Sequence, residues 1–228
     1  MEVIYEDNHI IIVNKAVGEI VQGDKTGDEP LSEIVKKWLK EKYSKLGNVF
    51  CGVVHRIDRP VSGVVVFAKT SKALSRLNDM IRKGELHKTY YALVEGCPKI
   101  KENILEDMLV SNSKLNKTFI AREGQEGAKK SILHYKVVAK GERYSLLEIK
   151  LITGRKHQIR CQLAALGHPI KGDLKYGARR SNPDGGISLH ASRVEFLHPV
   201  SKKMILSEAP MPIDMRKILT ATGNFSEI

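Results

Sequence analysis

Cysteine is scarce and shows no pairing pattern: Cys51, Cys97 and Cys161 are three in number, scattered, with no C-x-x-C spacing. A disulfide framework needs an even set and a zinc cluster needs close thiol pairs, so neither organises this chain. The three read instead as small buried hydrophobes in a reducing compartment. Long apolar runs are missing as well. The longest, Val64-Val65-Val66-Phe67-Ala68, falls far short of the roughly 18 residues expected of a membrane span. The opening Met1-Glu2-Val3-Ile4-Tyr5-Glu6-Asp7 carries acids where a secretory signal has a basic and then an apolar stretch. No repeat, low-complexity tract or linker rich in Pro, Gly or Ser divides the sequence. A soluble, cytoplasmic chain without a membrane partner is expected.

Acid is the other deficit. Lys and Arg number 38 against 26 Asp and Glu, a net charge of +12 with a pI near 9.5. A surface this basic favours a polyanion, because neutralising phosphates releases counterions. Charge alone does not separate RNA from DNA or anionic lipid, and a solvated basic face is the plain alternative. The rest is ordinary. With 42% hydrophobic and 28% charged residues, the 228-residue chain has the make-up of a globular domain that buries its core without staples. Its length admits one large domain, or two small lobes sharing a sheet.

Residues 3–6 and 9–13 are β-branched and predict strands around an Asp7-Asn8 turn. Pro30 opens a helical pattern through Leu31, Ile34, Val35, Trp38 and Leu39 that Gly47 is expected to close. Val53-Val54 and Val64 to Ala68 predict strands, and Thr70 or Ser71 caps a helix with Leu74, Leu77 and Ile81 on one face. Further strands are expected over 90–94, 132–138, 144–152, 189–197 and 204–206, and a helix over 154–166. The tail, including Met215 to Leu219, carries a weak helix signal. Strands dominate and do not alternate regularly with helices. The expected class is therefore α+β, a mixed, largely antiparallel central sheet flanked by helices.

Two polar segments stand out. His55-Arg56-Ile57-Asp58-Arg59-Pro60-Val61-Ser62-Gly63 lies between two apolar strands, where a scaffold can present a reactive group. If 56–58 are extended, Arg56 and Asp58 point the same way, and an arginine beside a carboxylate favours its ionised form. By itself the segment reads as an Asx-type turn with surface arginines. The second, Gly154-Arg155-Lys156-His157-Gln158-Ile159-Arg160-Cys161-Gln162-Leu163, sets Arg160 beside an apolar stripe of Ile159, Leu163 and Leu166. An inward arginine needs a carboxylate, for which Asp58 is a candidate, and Arg155, Gln158 and Gln162 share a face suited to phosphate or base edges. A snorkelling surface arginine accounts for this segment equally well.

Together these segments resemble the RluA family of RNA pseudouridine synthases. The family pattern His-Arg-Leu-Asp-x-x-Thr-Ser-Gly is matched by His55 to Gly63, with Ile57 and Val61 departing from it. Lys88-Thr89-Tyr90, Gly154 to Arg160, the run Pro169-Ile170-Lys171-Gly172-Asp173-Leu174-Lys175-Tyr176-Gly177, Leu189-His190-Ala191 and His198-Pro199 follow in the family's order. Ala16 stands where many members have Pro, and the resemblance runs from about Tyr5 to Pro199.

The resemblance implies a catalytic domain of the pseudouridine synthase type over 1–228, two lobes around one cleft, without a separate S4 RNA-binding module. It implies isomerisation of specific uridines in structured ribosomal or transfer RNA to pseudouridine, with the base flipped out of its stack. Asp58, Tyr90 and Arg160 are the implied catalytic residues: Asp58 adds to C1′ or removes the C2′ proton, Arg160 holds its carboxylate, and Tyr90 stacks on the uracil or assists at C5. Tyr91 faces the other way, so one of the two tyrosines lines the site. Arg56, His55, Arg59, Arg155, His157, Gln158, Lys171 and Lys175 are the expected RNA contacts, Arg56 filling the vacated space. Lys69, Lys72, Arg76, Arg179 and Arg180 are further phosphate candidates. The reaction is neither redox nor hydrolytic, so no cofactor or metal is expected, and a monomer is. Three other readings compete. An idle RNA-binding or RNA-folding factor would share the scaffold. A two-carboxylate glycosidic hydrolase lacks a second acid in these motifs. A DNA-binding protein lacks a helix-turn-helix or zinc-finger pattern.

Overall fold

The computed structural model describes residues 1–220, the side chains of 218–220 excepted. Along the chain run β1 (Glu2–Glu6), β2 (Ile10–Lys15), α1 (Leu31–Lys42), β3 (Gly52–Val53), β4 (Ser62–Ala68), α2 (Ser71–Lys83) and β5 (His87–Glu95). There follow β6 (Glu102–Asn112), β7 (Lys117–Ile120), β8 (Lys129–Lys140), β9 (Tyr144–Leu151), α3 (Gln158–Ala165), a 3₁₀ turn at Leu174–Tyr176, β10 (Leu189–Leu197), β11 (Met204–Glu208) and α4 (Ile213–Thr220). The chain divides into two compact units. The first holds Met1–Lys88 and Ala191–Pro210, the second Thr89–His190 and the segment from Met211 onward. This is the expected α+β class, its strand pairs largely antiparallel.

In the first unit β2 lies between β1 and β4, and β10 follows β4 and carries β11 at its edge. Ile10, Ile12, Val64, Val66 and Ala68 send one face of the sheet against Ala73, Leu77 and Met80 of α2, with Val194, Phe196 and Ile205 in the same cluster. By alternation Ile11, Val13, Val65 and Phe67 occupy the opposite face, and they too are fully buried. A strand covered on both sides reads as an unbroken apolar run, which is why β4 was visible in the sequence. The ends of α2 obey local chemistry. Thr70 Oγ1 accepts the Ala73 N–H at 3.1 Å, and Gly84, left-handed at φ +76°, closes the helix. Helix α1 ends sooner than Gly47, because Ser44 turns left-handed at φ +46° while Lys42 Nζ and Tyr43 Oη bind Glu6 at 2.5 and 2.8 Å. The His198-Pro199 pair is a brace. His198 Nδ1 accepts the Val200 and Ser201 N–H groups, and its Nε2 stands 2.8 Å from Asp7 Oδ2.

In the second unit the order is β5-β9-β8-β6-β7, antiparallel throughout. Leu93, Leu146 and Met215 form one cluster, with Tyr91 and Tyr144 packed on it; Leu109, Cys161 and Tyr176 form another beneath α3. Strands β6 and β7 had no sequence signature. Along β6 the exposed positions include Ile104 and Met108, and Asp107 points to the covered side, so the apolar alternation that marks a strand is scrambled. Helix α3 starts at Gln158 rather than Gly154, for a reason the site makes plain below. Among the described residues no helix is long and apolar enough to cross a membrane.

Gly63 tests the packing of the first unit. It sits at φ +116°, and a Cβ there would lie 2.2 Å from the Ala191 carbonyl oxygen and 2.7 Å from its nitrogen. Gly63→Ala should therefore destabilise the chain by about 2–5 kcal/mol, through left-handed strain plus overpacking. Urea unfolding measures this; a midpoint equal to the parent's would contradict the close approach.

Candidate active site

The loop between β3 and β4 is pinned from below. His55 turns its ring toward β4, and Nε2 accepts the Val66 N–H at 3.2 Å. Burial, helped by the charge of Lys88, pushes the imidazole down to about 3, so it is neutral and Nδ1 carries the proton. That Nδ1 has no hydrogen-bond partner among the described residues. Arg56 is exposed, its Nη1 3.5 Å from Gln22 Oε1, while Ile57 is buried and Asp58 half-buried. This is the alternation expected of an extended 56–58. The Asp58 carbonyl accepts the Val61 N–H at 3.0 Å and closes the turn through Pro60.

Lys15 holds the loop's far side, and sequence reasoning missed it. It is wholly buried, donating from Nζ to the Ala16 carbonyl at 2.8 Å and the Arg59 carbonyl at 3.2 Å. Burial pulls the ammonium down to about 8, partly offset by the negative charges of Glu19 and Asp58. The signal was there to be read: a lysine at the next inward position after Ile11 and Val13. Arg59 itself is exposed and pairs with Asp28 at 2.7 Å.

In the second unit Tyr90 is 5% exposed on β5, and Tyr91 packs on the Leu93 cluster of the opposite face. Arg160 is also 5% exposed, which rules out a snorkelling surface arginine. Its Nε and Nη2 donate to Asp173 Oδ2 and Oδ1 at 2.7 and 2.8 Å, a two-pronged pair with a residue whose role the sequence did not reveal. The guanidinium carbon lies 5.0 Å from the centre of the Tyr176 ring. Burial pushes the Tyr176 phenol up to about 12, and its oxygen accepts the Thr118 N–H at 2.8 Å and lies 2.9 Å from His157 Nδ1.

Several expected RNA contacts have partners within the protein. Gln158 is 2% exposed; its Oε1 accepts from Thr153 Oγ1 and the Arg155 N–H, both at 2.9 Å, and its Nε2 donates to the Ile132 carbonyl. This side chain closes the turn ahead of α3, so the donor-rich stretch 154–157 is loop. Gln162, 1% exposed, donates to Asp107 at 2.7 Å. His157 is buried on Tyr176, and His55 is half-buried with its ring on β4. Lys69 is sequestered by Glu6 and the Asp7 carbonyl, and Arg76 donates to the Pro199 carbonyl. Lys171 is half-buried on Asn182. Arg155 and Lys175 remain exposed, each lightly held by a backbone carbonyl. Among the described residues no group of three or more His, Cys, Asp or Glu side chains is placed to hold a metal ion.

Comparison with known proteins places the chain by sequence and by fold. The RNA pseudouridylate synthase family profile matches residues 9–165. Over 96% of its length the chain is 34% identical to the uncharacterized RNA pseudouridine synthase YhcT of Bacillus subtilis, covering 71% of that protein. It is 31% identical to ribosomal large subunit pseudouridine synthase D of Zymomonas mobilis, over 95% of this chain and 71% of that one. It is 32% identical to tRNA pseudouridine synthase C of Vibrio parahaemolyticus, over 96% and 94%. Human RNA Pseudouridylate Synthase Domain Containing 4 superposes with a TM-score of 0.81 at 20% identity, over 97% of this chain and 93% of that one, a likeness of fold. Fold and sequence thus define an RNA-modifying isomerase of the pseudouridine synthase class. Within that class, the chain belongs to the RluA family.

The neutral His55 has a consequence for acid stability. Its folded-state pKa lies below the unfolded 6.5, so the unfolded chain takes up a proton that the folded chain refuses. Stability is lost as pH falls from 6.5 toward 3, by at most roughly 1.4 kcal/mol per pH unit from this group. His55→Gln should flatten the fall in unfolding free energy between pH 6.5 and 4.5; parallel profiles would show that His55 is not held neutral.

Proposed function

We propose that this chain isomerises specific uridines of structured ribosomal or transfer RNA to pseudouridine, with Asp58 as the reacting carboxylate. The N1–C1′ bond breaks, the base turns, C5 bonds to C1′, the C5 hydrogen leaves as a proton and N1 gains one. Asp58 either adds to C1′ or takes the C2′ proton to open a glycal-like route. Arg160 steadies negative charge on that carboxylate, and Tyr90 stacks on the uracil or serves the proton transfer at C5. The observation that carries this reading is the loop itself. A half-buried carboxylate sits on a backbone pinned on two sides, by His55 on the Val66 N–H and by the buried Lys15 on the Arg59 carbonyl. Preorganisation of that kind suits a group that must meet one carbon atom.

A uridine within folded RNA has to leave its stack, which costs a few kcal/mol. Arg56 is exposed and lightly held, as a side chain that enters the vacated space must be. Arg59, Arg155 and Lys175 are exposed cations for phosphate, with Lys72, Arg179 and Arg180 beside them in the count. The relatives named for ribosomal and transfer RNA support both substrate classes.

The test is release of tritium from [5-³H]uridine-labelled ribosomal and transfer RNA, taken from a strain lacking the gene. Asp58→Asn should slow release by about 1000-fold or more while RNA affinity changes little. Normal turnover by that variant would end the assignment, and RNA affinity without tritium release by the parent would identify a binding factor instead. Arg56→Ala should lower the single-turnover rate at saturating RNA; an unchanged rate removes its role in base extrusion. Affinity should fall linearly and steeply on a log–log salt plot, and a flat plot would leave the excess of positive charge without a part in binding.

A further inference from the structure

The run from Lys171 to Gly177 takes no part in the chemistry proposed above, yet two of its side chains converge on Arg160. Asp173 is 1% exposed and grips one edge of the guanidinium with both carboxylate oxygens. Tyr176, three residues on, lays its ring against the guanidinium, with 5.0 Å between the Arg160 carbon and the ring centre. Edge and face are thus fixed from a single 3₁₀ turn, Leu174–Tyr176, whose start and end are held by the Tyr176 and Ala178 N–H groups on the Asp173 carbonyl at 3.0 Å each. The turn is itself rigid. Gly172 at φ +89° leaves no room for a Cβ, which would meet the Asn182 side chain at 2.7 Å and the Gly186 carbonyl at 2.8 Å.

Tyr176 also reaches outward. Its hydroxyl takes the Thr118 N–H of β7 and meets His157, while Thr118 Oγ1 donates to the Lys156 carbonyl at 2.9 Å and Lys117 Nζ lies 5.0 Å from the ring centre. The β6–β7 hairpin, the 154–157 turn and α3 therefore share one phenol. A full carboxylate, a ring and a hydroxyl with two partners of its own are more than packing asks of a buried arginine: pairing alone is satisfied by Asp173.

We propose that Asp173 and Tyr176 are positioning residues that fix the direction of the Arg160 guanidinium for the isomerisation step. This rests on the reading that Arg160 serves Asp58. Asp173 supplies orientation with charge balance, and Tyr176 joins that orientation to the β6–β7 hairpin. Neither touches the uridine, so the effect of removing them falls on the rate of the chemical step and not on RNA capture.

The experiment is single-turnover tritium release from the same [5-³H]uridine-labelled ribosomal and transfer RNA, at RNA concentrations spanning saturation, with melting curves for every variant. Asp173→Asn should lower the saturated rate roughly 100-fold and Tyr176→Phe roughly 10-fold, with half-saturation unchanged. Asp173→Asn should add nothing to Arg160→Ala, because a residue acting through another has no effect once that other is gone. If Asp173→Asn does not fold, Tyr176→Phe decides, since it keeps the ring and removes the hydroxyl. Folded variants with parental rates overturn the proposal, as does a double variant whose losses multiply or a change confined to half-saturation. A parent that releases no tritium, or an Asp58→Asn variant that releases it normally, would instead bring down the reading of the site on which this proposal stands.

Discussion

Charge taken out of water must be answered inside the protein, and that requirement shapes both units of this chain. In the second, the guanidinium of Arg160 is almost wholly buried and is met by the carboxylate of Asp173 and the ring of Tyr176. In the first, the ammonium of Lys15 is wholly buried and is met by two carbonyls, one of them belonging to Arg59 in the polar loop. A buried ion with one good partner is an expensive feature, and replacing such a pair by apolar residues is often neutral or better for stability. Retaining it in two places points to a use other than stability, and the use that fits is holding particular backbone and side-chain atoms still.

Stillness has a backbone component as well. Gly63 lets β4 lie against Ala191 at a distance no side chain tolerates, and Gly172 lets the turn carrying Asp173 pack on Asn182. Each glycine stands in or beside one of the polar runs singled out in the sequence, and each permits a close backbone approach that a Cβ would block. The neutral ring of His55 holds its loop from beneath, accepting a backbone N–H in the middle of β4. Its Nδ1, without a hydrogen-bond partner among the described residues, is a local cost of that placement.

What the sequence revealed depended on how local the cause was. Helix α2 was legible at both ends because Thr70, Leu77 and Gly84 act through neighbours three or four residues away. Strand β4 was legible because burial on both faces leaves an unbroken apolar run. Strand β6 was not: Ile104 and Met108 face outward and Asp107 inward, and that pattern makes sense once Gln162 is seen to bind Asp107. The donors of 154–157 resembled the first turn of a helix, whereas Gln158 folds back to cap Arg155 and Thr153. In the candidate site, Asp58, Tyr90 and Arg160 were legible as residue types in a family pattern. The parts played by Asp173, Tyr176 and Lys15 were not, since each is defined by a partner or a depth that spacing does not encode.

In the function we propose, the carboxylate of Asp58 rebuilds uridine as its C5-linked isomer within cellular RNA. The most direct measurement is a pseudouridine map of total RNA from a gene-deleted strain, beside its parent and strains complemented with the parental chain or with Asp58→Asn. One or a few uridines of ribosomal or transfer RNA should lose the modification on deletion, regain it with the parental chain and stay unmodified with the variant. Identical maps from all four strains would contradict the account.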